Sequence, residues 1–298
     1  MEILKNQSLR ELNTWLVGGK AEHLCFPESE GDIREALTLA KKNQWPVTVL
    51  SGGSNVLISD DGIEGLVINL KKFSGLDISS ESETLRVVAK SGTSKSELLK
   101  LFLKERLAPA IFLAGIPGDV GGGVVMNAGV AESISPREFT EITESFTVIP
   151  FDDPSATHTY QHDDVQWSYR HCRGWQAGVI TTATLCWPRQ KREDILTVVR
   201  EANKIRLQKQ PLDLPSCGSV FVNPPGHKAA QLTQSCGLKG FQIGDAQVSL
   251  KHANFIVNLG RATASEIWSV IRHVQETVQS QTGVKLTTEV LRLGKWKE

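Results

Sequence analysis

Apolar residues recur at helical spacing through Ile33, Leu37 and Ala40, which predicts a helix with one buried face. Two short continuous apolar runs follow, Val47 to Leu50 and Gly65 to Leu70, and both read as buried strands. Strand-like Leu85 to Ala89 precedes a helix announced by Ser94 with Glu97 three residues on, a capping box that satisfies otherwise orphaned amides. Leu98, Leu101 and Phe102 form the apolar face of that helix. Beyond a glycine-rich segment lie irregular β-like runs, Ile142 to Pro150 and Val179 to Cys186. A helix through Ile195, Val198, Val199, Ala202 and Ile205 then runs toward the breaker Pro211.

The segment PLDLPSCGSVFVNPPG, residues 211–226, carries too many prolines and glycines for a long helix, so its polar residues fall on turns. Thr263 with Glu266 makes a second capping box, and Ile267, Ile271, Val274 and Val278 give the buried face of a helix ended by Gly283. The chain closes with an expected strand in which Val284, Leu286 and Val290 share one side and Glu289 points to the other. Helices and strands are mixed irregularly, with no fixed-period repeat, which is the pattern of an α+β protein.

Composition narrows the function classes. The 298 residues carry 33 Lys+Arg against 33 Asp+Glu, a formal net charge of zero, which argues against a basic nucleic-acid binder. Hydrophobic residues make up 40% and charged residues 22%, the balance of a globular protein long enough for two or three domains at roughly 100–150 residues each. No apolar run approaches the roughly 18–20 residues of a membrane helix. The opening MEILKNQSLRELN lacks the apolar segment of a secretion signal, so a cytoplasmic location without membrane insertion is expected. Cys25, Cys172, Cys186, Cys217 and Cys236 include no CxxC pair and read as reduced thiols. The spacing of Cys217, His227, Cys236 and His252 fits no zinc pattern, and His158 and His162 lack the glutamate of a metalloprotease helix, so no metal is expected.

Two glycine clusters carry candidate chemistry: SGGSN at 51–55 and AGIPGDVGGGVVMNAG at 114–129. Without a Cβ, glycine lets consecutive amides crowd round an anion such as a diphosphate. Neither cluster is a GxGxxG opening a helix, and neither carries the GK[ST] of a P-loop. SGGSN alone is also compatible with a plain turn between strands. The second cluster, with glycine at 115, 118, 121, 122, 123 and 129, lowers stability wherever its freedom is unused, which points to a function.

Seven segments then occur in a telling order: TWLVGGKAEHLCFP, VLSGGSNVLISDDGIEGLVI, LAGIPGDVGGGVVMNAG, YRHC, SCGSVFVNPPGHKAAQL, VSLKHANFIVNLGRATA and LTTEV. Together, from about Thr14 to Leu293, the chain resembles the UDP-N-acetylenolpyruvoylglucosamine reductase (MurB) family of flavoenzymes. The resemblance implies an FAD-binding fold of the vanillyl-alcohol-oxidase (PCMH) type: FAD-binding subdomains at 1–70 and 71–205, and a substrate-binding C-terminal α+β domain at 206–298. The last strand is expected to pack back on the first subdomain. It further implies non-covalent FAD, with Gly52, Gly53, Ser54 and Asn55 along the diphosphate and Gly115, Ile116, Pro117, Gly118, Gly122, Asn127 and Gly129 contributing from the second loop. His171 and Cys172 fall in a segment near the flavin, but serine is commoner at the latter position and no role is assigned to Cys172.

The family reaction has two halves: NADPH reduces FAD, and the reduced flavin passes hydride to the enolpyruvyl ether of the UDP-sugar, giving UDP-N-acetylmuramate for peptidoglycan precursors. Hydride addition throws negative charge toward the neighbouring carbon and its carboxylate, so the site needs a cation and an acid. By motif position these are Arg170 in SYRH, Ser219 in CGSVF and Glu289 in TTEV. Arg170 can fork two N–H groups onto a carboxylate. Ser219, a poor acid in water, serves as proton donor because the intermediate is basic and the donor is held in place. Glu289 is most useful protonated, which requires burial.

The resemblance also assigns Asn223, Lys251 and His252 to substrate binding, although Val222 stands where lysine is common. The short stretch between Arg170 and Ser219 matches the type II branch, which lacks a tyrosine-bearing loop. Gly123 and Trp15 replace a frequent alanine and phenylalanine, which bears on packing near the flavin. The expected partners are the enolpyruvyl UDP-N-acetylglucosamine and NADPH, with the protein a monomer. The principal rival is another FAD-linked oxidoreductase on the same scaffold; a colourless nucleotide-sugar binding module is the other.

Overall fold

The structure, a computed structural model, describes residues 1–80, 83–130 and 134–296. The chain forms two compact units and passes between them repeatedly: residues 1–4, 23–52 and 65–204 make the first, residues 5–22, 53–64 and 205–298 the second.

The first unit holds strands of a four-stranded sheet, a five-stranded sheet and a two-stranded hairpin. The helix Glu30–Asn43 starts at a full capping box in which the Ser29 side chain accepts from the Asp32 amide and the Asp32 carboxylate returns the bond. Its buried face is Ile33, Ala36, Leu37 and Ala40, as the spacing predicts, packed with Leu66, Ile68 and Phe73. The strand Val47–Leu50 runs parallel to Ile63–Asn69, with Val47 opposite Leu66 and Leu50 opposite Asn69. Only Leu50 of Val47–Leu50 is buried, contrary to the fully buried strand expected, because this strand is the edge of its sheet.

The second sheet is antiparallel with strand order Leu76–Ser80, Thr84–Lys90, Gly178–Pro188, Thr143–Pro150, His158–Gln161. The helices Lys95–Lys104 and Val120–Val125 share its core through Leu98, Phe102, Val120 and Val124, which meet Val87, Phe146 and Leu185. Ser94 caps the first of these by accepting from the Glu97 amide at 3.3 Å; only that half of the expected box forms. The helix Ile195–Lys209 adds Ile195 and Val199 to the same core.

In the second unit the helix Ala264–Thr282 buries Ile267, Ile271, Val274 and Val278 and begins at the complete Thr263–Glu266 box. Gly283, at φ +74°, ends it in the left-handed region that glycine enters without strain. The helix packs with a three-stranded sheet of Gln242–Ile243, Ala246–Val248 and Ile256–Asn258. The closing strand is shorter and later than expected: residues 284–290 are irregular, and only Leu291–Leu293 is a strand, paired in parallel with Val56–Ile58. Leu286 and Val290 are buried nonetheless, so apolar alternation here marks anchor points of an irregular segment.

Candidate active site

In the first unit the strand Val47–Leu50 delivers Ser51 and Gly52 against the second glycine loop. A Cβ at Gly52 would stand 3.1 Å from Gly118 Cα and 3.3 Å from Asp119 Oδ2, so the close approach of the two loops selects glycine. A cavity of about 390 Å³ opens there, lined by Gly52, Ser94, Leu113, Ile116, Pro117 and Gly118, with Asp119 on its wall. The remaining loop glycines have varied roles. A Cβ at Gly115 would lie 2.7 Å from Val130 Cγ1, whereas one at Gly122 would meet nothing within 4 Å. Four expected cofactor residues, Gly52, Ile116, Pro117 and Gly118, thus line one cavity.

Asn127 and Gly129 are occupied differently. The Asn127 side chain donates to the Ser168 carbonyl at 3.1 Å and accepts from the Thr140 amide at 2.9 Å. Ser168 ends one strand of a hairpin, Gln166–Ser168 paired with His171–Arg173, whose two-residue turn is Tyr169 and Arg170. Arg170 sits at φ +61°, an unfavourable region for a side chain with a Cβ, and its guanidinium stacks on Tyr169 with 4.5 Å to the ring centroid. Nη2 donates to the Gly129 carbonyl at 2.9 Å. The second glycine loop therefore holds the arginine in place as well as lining the cavity. Cys172, on the same hairpin, is buried, and burial pushes its thiol up to about 12, which leaves it inert.

Two charged residues that the sequence reading passed over stand here, Asp119 on the wall and Lys95 behind it. Lys95 is buried at the first turn of its helix, and its Nζ donates to the Pro117 carbonyl at 2.7 Å. Burial pulls its ammonium down to about 8, with Asp119 pushing the other way and Arg170 adding to the fall. Asp119 accepts from Ser51 Oγ at 2.5 Å and from the Gly52 amide. Burial raises its carboxyl above the usual range despite those bonds and the Lys95 charge. The available signal was an acidic residue inside an otherwise uncharged glycine loop.

In the second unit Gly53, at φ +60°, is pressed against Leu12, where a Cβ would lie 2.2 Å from the carbonyl oxygen. Its own carbonyl accepts from the Thr14 amide at 3.1 Å, and the buried Thr14 hydroxyl beside it has no protein partner. Ser54 is half-buried. Asn55 ties this loop to the C-terminal segment: its Nδ2 donates to the Glu289 carbonyl at 3.1 Å, and its own carbonyl accepts from Leu291 at 3.1 Å.

Ser219 and Glu289 are brought together. Val220, next to Ser219, accepts from the Glu289 amide at 2.8 Å and donates to the Asn254 carbonyl at 2.8 Å. The Asn254 side chain bonds both backbone groups of Phe221, at 3.0 and 2.8 Å, and Val222 donates to Thr287 at 3.0 Å. The serine segment is thereby gripped from both sides, and Asn254 is a third residue that the motif reading did not single out. Cys217 is buried, and Glu289 adds to burial in pushing its thiol well up.

The expected substrate residues divide. The Asn223 side chain accepts at 3.0 Å from the amide of Ala229, the first residue of the helix Ala229–Ser235. Lys251 reaches Asp213 at 3.2 Å on the surface. His252 is partly buried, and burial lowers its pKa with help from Lys239. Trp15 is fully buried and donates to the Ile256 carbonyl at 2.7 Å, so it serves the core of this unit. Among the described residues, no three His, Cys, Asp or Glu side chains gather as a metal site would require, and no helix is long and apolar enough to cross a membrane.

Glycine loops that line a cavity on an α+β scaffold are what a flavoprotein oxidoreductase presents to its cofactor, and the chain's relatives assign it to that class. A family profile described as an FAD binding domain matches residues 21–152, and the C-terminal domain of UDP-N-acetylenolpyruvoylglucosamine reductase matches residues 210–293. The chain belongs to the UDP-N-acetylenolpyruvoylglucosamine reductase family. The enzyme of that name from Latilactobacillus sakei is 38% identical over 100% of this chain and 95% of its own length. That from Synechococcus elongatus is 39% identical over 97% and 94%. The crystal structure of the Thermus caldophilus reductase superposes with a TM-score of 0.80 at 30% identity, covering 98% of each chain.

Proposed function

We propose that the protein reduces the enolpyruvyl ether of UDP-N-acetylglucosamine to UDP-N-acetylmuramate, acting as a cytoplasmic monomer with non-covalent FAD and with NADPH as reductant. Family membership across the whole chain is the observation that carries this reading. The residues present suit the cofactor. Gly52 and Gly118 leave a cradle that a Cβ would fill, and the orphaned Thr14 hydroxyl lies beside Gly53 in the same SGGSN loop. When bound, FAD would supply hydride chemistry between NADPH and the enolpyruvyl ether.

The chain's own groups manage charge and proton. Arg170 faces the developing negative charge on the substrate carboxylate, its head steadied by the Gly129 carbonyl and the Tyr169 ring. Ser219 delivers the proton to the adjacent carbon. Its backbone, gripped through Val220 and Phe221 by Asn254, keeps the hydroxyl where geometry can make up for weak acidity. Glu289, bonded to the same segment, assists at the enolate. Asn223, Lys251 and His252 remain proposed contacts for the nucleotide sugar; the His252 ring meanwhile accepts from the Asn254 amide at 3.3 Å through Nδ1 and packs on Phe255.

The test is a two-step spectroscopic one. NADPH should bleach the yellow enzyme, and the enolpyruvyl substrate should restore colour. Ser219→Ala should keep bleaching intact and slow re-oxidation by at least about a hundredfold. Full-speed re-oxidation in that variant would overturn the role of Ser219; bleaching reversed only by oxygen would favour a different FAD-linked oxidoreductase.

A further inference from the structure

The wall of the first-unit cavity contains a charge of the wrong sign for a diphosphate. Asp119 is buried, and its carboxylate holds two donors of the SGGSN loop: the Ser51 hydroxyl at 2.5 Å and the Gly52 amide. Its two oxygens lie 3.3 and 3.4 Å from where a Cβ on Gly52 would stand, so the carboxylate touches the face of the glycine that lines the cavity. The charged groups that bear on it are Lys95 and Glu97, both on the helix Lys95–Lys104, and Arg170 in turn bears on Lys95. Lys95 does not close on Asp119; its Nζ is spent on the Pro117 carbonyl at 2.7 Å.

A proton in a hydrogen bond serves one acceptor well. A diphosphate that takes the Gly52 amide takes it from Asp119, and it brings further negative charge into contact with a poorly solvated carboxylate. We propose that Asp119 is an affinity determinant for the cofactor diphosphate: its carboxylate competes for the Ser51 and Gly52 donors, so neutralising that carboxylate tightens FAD binding. The proposal rests on the reading that the glycine loops hold the FAD diphosphate. It implies a linked proton. Once protonated, Asp119 becomes a donor and loses its repulsion, so flavin uptake draws a proton and strengthens as pH falls. Burial, which already lifts this carboxyl, brings the linkage closer to neutral pH.

The experiment titrates flavin-stripped protein with FAD, followed by quenching of flavin fluorescence, at several pH values between about 6 and 8.5. Riboflavin, which has no diphosphate, is the second probe. Asp119→Asn and Asp119→Ser should lower the Kd for FAD about tenfold or more at the alkaline end, leave that for riboflavin unchanged, and flatten the pH dependence seen in the wild type. Equal or weaker FAD binding by both variants would overturn the proposal and make Asp119 a brace between the loops. Should neither variant fold, the wild type alone decides: affinity independent of pH below about 7, where Lys95 is already charged, is fatal, and affinity still rising toward acid there is support. The underlying reading fails separately, if wild-type protein binds riboflavin as tightly as FAD.

Discussion

A Cβ carried at position 123 would lie 2.4 Å from Cζ of Phe139. Phe139 is fully buried and meets Phe112 edge to face, at 6.0 Å and 89°. The helix Val120–Val125 is laid directly on an aromatic ring, and the departure from alanine at this position is thus matched by a large neighbour.

Gly123→Ala should destabilise the protein by about 1–3 kcal/mol, the usual cost of overpacking. The double variant Gly123→Ala, Phe139→Leu should be more stable than the sum of its parts, because the smaller side chain relieves the clash. Urea denaturation followed by circular dichroism at one flavin concentration measures both; strict additivity would show that the ring does not oppose the new methyl.

Asn254 acts on Ser219 at one remove. Asn254→Ala leaves the amide and carbonyl of Phe221 without their side-chain partners, at about 1–3 kcal/mol for each buried group left unsatisfied. Bleaching by NADPH should be normal and re-oxidation by substrate slowed. A purely structural loss would depress both phases alike, which stopped-flow absorbance distinguishes.

Arg170 at φ +61° sets chemistry against backbone comfort. Arg170→Gly and Arg170→Ala should both lose turnover, yet the glycine variant should be the more stable by about 1 kcal/mol, because only alanine retains the penalty of the left-handed conformation. Arg170→Lys keeps the charge and loses the fork, so turnover should drop by about a hundredfold. Paired melting curves and assays test all three.

Lys95 makes stability depend on alkaline pH. Its folded-state pKa is lowered to about 8 from 10.5, so between those values the unfolded chain holds a proton that the folded chain has released. Its contribution to stability therefore rises as pH climbs from about 8 to 10.5, and below that window the cost of burying the charge is present in full. Lys95→Met should raise stability at neutral pH by up to about 3 kcal/mol and remove the alkaline rise, as read from urea midpoints across that pH range. A flat wild-type profile would contradict it.

The long helices were legible from a periodic face, in two of them reinforced by a start signal, as Thr263 with Glu266 and the Ile267 to Val278 stripe illustrate. The glycine loops were legible as candidate diphosphate contacts, and the proposed catalytic trio as motif positions only. Periodicity said nothing of the Arg170 hairpin, whose residues Gln166–Ser168 and His171–Arg173 are short, polar strands held by contacts distant in sequence. Residues 284–290 misled the reading because Leu286 and Val290 bury themselves at strand-like spacing without ladder partners. Asp119 left one trace, as the charged residue of its glycine loop, whereas Lys95 left none: burial of a charge depends on what packs over it, and no local pattern records that.

The interleaved course of the chain bears on how the protein can be made. The second unit's core combines Trp15, Val17 and Leu57 with Val220, Phe221 and the face of helix Ala264–Thr282. On a ribosome those early side chains emerge long before their partners and stay exposed until almost the whole message is read. A separately expressed fragment starting at residue 206 would lack its buried tryptophan. Supplying residues 1–70 in trans, or refolding the intact polypeptide, is the sounder route to that half of the molecule.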